Sequence, residues 1–127
     1  MAVSLLFWVY IINAMILINH EIDSAYWQEW KLINPKNTNG INGFLLIHFP
    51  MLFAILYGLV LVEKGHLAGL IISLFLGASG IFAFFFHFYH IRKGKQEFNT
   101  LISKTIIISS FVISLFQIGL TLKIILK

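Results

Sequence analysis

The chain has 127 residues, 59% of them hydrophobic and only 11% charged, and its mean hydropathy is +0.90, whereas an ordinary soluble domain is about a quarter charged. That balance excludes a soluble globular protein, a disordered segment and a nucleic-acid binder, because a net charge of +4 spread this thinly cannot make a phosphate-tracking patch. The lack of cysteine removes disulfides, thiolate metal sites, iron–sulfur clusters and cysteine catalysis, leaving His, Asp and Glu as the strong ligands.

A bilayer core takes roughly 20 apolar residues in a helix, and four runs meet that length: Ala2 to Asn19, Ile41 to Val62, His66 to Ile91 and Leu101 to Leu126. The first has no Lys or Arg before it and no small-residue cleavage signature after it, so it reads as a retained helix and not a signal peptide. After it, Ser24 to Leu32 sets Tyr26, Trp27 and Trp30 at helical spacing beside Gln28, Glu29 and Lys31, which suits an amphipathic segment in the membrane interface. Asn34-Pro35 through Asn39-Gly40 reads as a turn region.

In the second run, Pro50 cannot donate to the carbonyl of Leu46, which predicts an irregular helix and a polar cavity beside His48. In the third, Gly69, Ser73, Gly80 and His87 share one stripe, and small residues at such spacing mark close helix contacts in membranes. His87 therefore faces the bundle, with His90 its neighbour three residues on. The fourth run carries Lys104 and Lys123 near its ends, where they can snorkel. It also turns Ser103, Ser110, Ser114, Gln117 and Thr121 to one interior face. Asn13 in the first run is expected to bond Gln117 or one of these serines. The fold expected is an all-α, four-helix transmembrane bundle with a short interfacial helical segment after the first span, residues 1–127 forming a single transmembrane domain.

With four spans, residues 20–40 and 92–100 share one side. Lys31, Lys36, Arg92, Lys93, Lys95 and Lys104 mark that side, against Lys64, Lys123 and Lys127 on the other. The positive-inside rule points the six toward the cytoplasm and both termini outward, in a multi-pass protein of the cell membrane whose obligatory partner is the lipid bilayer.

This topology brings His20, His48, His87 and His90 to one depth near the cytoplasmic face, and Glu21, Asp23 and Glu29 join them. Ionisable groups in a span are functional candidates by default, and imidazole is the commonest metal ligand. The reading is a site for a divalent metal, zinc or non-haem iron. His20, Glu21, Asp23, His48, His87 and His90 are its candidate ligands, Glu29 its candidate catalytic base, and a lipid or other apolar molecule its substrate class. A zincin motif is excluded, since His-Glu-x-x-His would need histidine where Ser24 stands. Three alternatives stand beside this reading. One is an interfacial band of aromatics and histidines next to Arg92–Lys95. Another is a b-type haem ligated by two of the histidines. The last is a bundle without catalysis, acting as a membrane partner subunit or homo-oligomer. His66, on the opposite side, reads as a hydrated turn residue.

The run His20-Glu21-Ile22-Asp23, then Glu29-Trp30, then His48-Phe49-Pro50 resembles an uncharacterised family of small four-helix bacterial integral-membrane proteins. The pattern of that family is His-Glu-aliphatic-Asp, Glu-Trp, and His-x-Pro opening the second span. The resemblance implies a shared site built from His20, Glu21, Asp23, Glu29 and His48, and implies no activity. A broader likeness to membrane hydroxylases and hydrolases with cytoplasmic histidine clusters is analogy alone, because the chain lacks their full set of histidine boxes.

Overall fold

The computed structural model describes residues 2–127, and within them the fold is all-helical: α1 (Ala2–Tyr26), α2 (Trp30–Ile33), α3 (Gly40–Glu63), α4 (Leu67–Arg92) and α5 (Leu101–Ile125). The four long helices are each long and apolar enough to cross a membrane, as expected of a multi-pass membrane protein. They form a closed ring in which α1 packs on α3 and α5, and α4 on α3 and α5. Successive long helices run antiparallel, since Tyr10 meets Ile55, and Ser73 meets Thr121.

The bundle is polar along part of its axis and apolar outside. Trp8, Leu46, Phe49, Phe75 and Ile102 are exposed, which suits side chains solvated by lipid. Asn13, Ser73, Ser110, Ser114, Gln117 and Thr121 are buried. Asn13 donates through its amide to the Gln117 side-chain oxygen at 2.9 Å and to the Ser114 hydroxyl at 3.1 Å, and Gln117 donates in turn to the Ser73 carbonyl at 2.9 Å. Lipid offers no competing partners for such groups, so the ladder sets the rotation of α1, α4 and α5 about their axes. The expected small-residue stripe of α4 is buried along its whole length, from Gly69 through Ser73 and Gly80 to His87. A cluster of Leu6, Tyr10, Ala14, Leu17, Val62, Leu70 and Leu76 fills the core beside the ladder.

Two local expectations change. Asn19 does not end the first helix: polarity ends the lipid-compatible stretch, but backbone bonding continues to Tyr26, so His20, Glu21, Asp23 and Ser24 ride on the last turns of α1. Ser24 to Leu32 is accordingly not one interfacial helix. The chain reverses at Gln28, whose φ is +55°. There the Glu29 amide donates to the Ser24 carbonyl at 3.0 Å and the Gln28 amide to the Ala25 carbonyl at 3.3 Å, the paired bonds of a Schellman stop. Helix α3 likewise continues through Pro50 to Glu63, with Pro50 and Leu46 both on its exposed outer face.

The same stop closes α3 and α4, where glycines hold the left-handed position, Gly65 at φ +69° and Gly94 at φ +83°. A side chain at that backbone conformation costs about 1–2 kcal/mol, so Gln28→Gly should raise stability by about 1 kcal/mol in reversible unfolding in detergent. No gain would mean that the Gln28 side chain makes compensating contacts.

Candidate metal site

At the end of the bundle where α1 and α4 finish, His20 and His87 are 3% and 1% exposed, and their Nε2 atoms lie 3.2 Å apart. The rings meet edge to face, with centroids 4.7 Å apart. The Schellman reversal at Gln28 then folds Glu29 back onto this pair, and its Oε1 comes 3.8 Å from His87 Nε2. One ligand atom from each of His20, Glu29 and His87 lies within 4.8 Å of the others. Glu29 stands outside the spans, and burial pushes its carboxyl above the usual carboxylate range, opposed by the Ser24 hydroxyl.

Phe98 closes the group from the loop after α4. It is fully buried with φ +64°, and its ring lies 4.0 Å from that of His87 and 6.1 Å from that of His20. A bulky residue in the left-handed region is held there only by its surroundings. Here these include the two imidazoles and Trp27, whose ring is 6.4 Å away. The Nδ1 atoms of both histidines are buried without a partner among the described residues.

A second pair adjoins the first. His48 Nδ1 donates to the Phe44 carbonyl at 2.6 Å, and His48 Nε2 lies 2.6 Å from Glu21 Oε2. Since a carbonyl can only accept, Nδ1 carries a hydrogen. A further proton must therefore sit between Nε2 and Glu21, on either atom. Glu21, Glu29 and His48 together line a cleft of about 400 Å³ between α2, the turn before α3 and the first turns of α3. A cavity thus does lie beside His48, formed by this packing and not by the Leu46 carbonyl.

The remaining sequence candidates sit apart from the three-residue group. Asp23 is half-buried, with Oδ2 unpartnered among the described residues. His90 is half-buried one turn beyond His87, with its ring 4.7 Å from that of Phe86. His66 is exposed at the opposite end of α4. Sequence reasoning overlooked Phe98, and the one signal for it was a lone large apolar residue in the polar stretch from Lys93 to Thr100.

The chain matches no curated protein and no solved structure. A family model does match, over residues 6–124, and that span contains every residue of the group and of the adjoining pair. The chain therefore belongs to the family of unknown function DUF6713.

Proposed function

We propose that this membrane protein holds one divalent metal ion, zinc or non-haem iron, between His20, His87 and Glu29. The observation that carries the reading is the spacing of the two Nε2 atoms, 3.2 Å. Two nitrogens each about 2.05 Å from a tetrahedral ion are about 3.3 Å apart. Three protein ligands leave a fourth position open, the arrangement of catalytic zinc sites, where the ion activates water or polarises a carbonyl. Glu21 and His48, sharing a proton at the wall of the cleft, are placed to exchange protons with a group bound there. A b-type haem fits this geometry less well, because its two imidazoles would point at one another through the iron, whereas these rings meet edge to face with centroids 4.7 Å apart. In equilibrium dialysis the detergent-purified protein should take up one zinc or ferrous ion per chain and show no Soret band. A Soret band would replace the ion with haem, and no uptake would leave the histidines an interfacial band.

The six-to-three excess of Lys and Arg supports a cytoplasmic position for this end of the bundle. A reporter fused after Lys127 should then be active only outside the cell, and a cytoplasmic signal would invert the site to the outer face.

A further inference from the structure

We infer that the cleft beside the metal site binds a single-chain amphiphile whose head donates hydrogen bonds and carries no negative charge, such as a long-chain alcohol, amine or monoacylglycerol. The inference rests on the metal reading for the chemistry done there, but not for the binding itself.

The volume of about 400 Å³ lies in the range of small-ligand sites, roughly 300–1,000 Å³. Its polar lining is Glu21, Glu29, Asn37, Asn39 and His48, and among the described residues no Lys or Arg lines it. In the metal-free protein a phosphate or carboxylate head would lie against two glutamates with no Lys or Arg to pair it. A hydroxyl or amine instead finds acceptors. Ile33, Phe44 and Ile47 supply its apolar lining. Ile33 and Ile47 are 75% and 65% exposed, and Ile47 lies on a helix able to span the membrane. This wall continues into the lipid-facing surface, as an alkyl chain entering from the bilayer requires. A wholly polar ligand would leave these side chains uncovered, and a wholly apolar one would leave the glutamates without donors.

Two glycines shape the hollow differently. At Gly40 a Cβ would run into the Trp30 indole, so that space is filled, whereas at Gly43 it would meet nothing within 4 Å. The room beside Gly43 is open to a ligand. Trp30 lies on this wall, with its Nε1 buried against Gly40 and without an acceptor among the described residues. Glu29 belongs to both places, since it lines the cleft and approaches His87 Nε2, so a head bound there lies next to the ion.

The test uses a dodecanol analogue carrying a photoreactive diazirine near its hydroxyl, added to the full chain in phosphatidylcholine nanodiscs, with labelled residues mapped by mass spectrometry and metal measured on the same samples. Label should concentrate on the residues lining the cleft, Glu21, Glu29 and His48 foremost, and disappear in Gly43→Phe, whose ring fills the hollow. Dodecylamine and dodecanol should compete about tenfold better than dodecyl phosphate, the factor that one hydrogen bond to a charged group supplies. Label spread evenly over the lipid-facing helices, label retained in Gly43→Phe, or equal competition by dodecyl phosphate would each overturn the inference. Metal retained without cleft labelling defeats this inference alone, and cleft labelling without metal defeats the metal reading alone.

Discussion

His87→Ala should strip the protein of its ion, with a loss of affinity exceeding the roughly 10–100-fold expected when only an outer partner of a ligand is removed. His20→Ala should do the same, and the double variant should be little worse than either single one, because the first loss already breaks the pair whose nitrogens face each other at 3.2 Å. Glu29→Gln keeps the shape but weakens the charge of the third ligand, so its loss should be intermediate. His66→Ala, at the far end of α4, is the control and should bind like the wild type. His48→Ala and His90→Ala separate the three-residue site from the wider set of histidines read from the sequence. Metal kept by both variants assigns the ion to His20, Glu29 and His87, and metal lost in either adds that histidine to the ligands. These values come from competition with a chelator of known affinity. Equal retention in His87→Ala and His66→Ala would sink the assignment.

Gly80→Leu should be the most damaging change away from the site. Any side chain at Gly80 collides with the hydroxyls of Ser114 and Ser110 on α5. Ser114 also bonds Asn13 of α1, so separating α4 from α5 disturbs the polar ladder as well as the contact. Overpacking of this kind costs typically about 1–3 kcal/mol, and each buried polar group it leaves unpaired adds about 1–3 kcal/mol. His87 lies seven residues further along the same buried stripe, so metal affinity should fall together with the unfolding midpoint in detergent. Phe75→Leu, on the exposed face of α4, should change neither. An unaltered midpoint in Gly80→Leu would show that α4 and α5 do not meet along this stripe.

Much of the fold was legible because a bilayer imposes simple rules. Apolar length marked the four long helices to within a few residues everywhere except the C-terminal end of α1. There the polar His20 and Glu21 end the span without ending the helix. Small and hydroxyl residues at helical spacing marked the inner faces of α4 and α5, and they did so because lipid offers Asn13, Gln117 and Ser114 no partners outside the bundle. The candidate site was legible as a common depth, since topology alone brings His20, His48 and His87 to one end. Its division into one group around His20 and His87 and a pair of His48 with Glu21 was not, because this depends on helix rotation and rotamer. The position of Glu29 was hidden for a different reason. It hangs on a left-handed residue at Gln28, where no glycine advertised the reversal that Gly65 and Gly94 make visible elsewhere. Phe98 was hidden because a single aromatic in a polar loop has no period from which its burial could be read.

The most direct test of the account is the X-ray absorption spectrum at the metal edge of the zinc- or iron-loaded protein. The arrangement of His20, His87 and Glu29 predicts a shell of nitrogen and oxygen at about 2.0–2.2 Å, with the outer-ring scattering of two imidazoles and none from sulfur. In His87→Ala the imidazole signal should shrink or the metal should vanish. A shell of oxygen alone, the same spectrum in His87→Ala as in the wild type, or a porphyrin signature would contradict it.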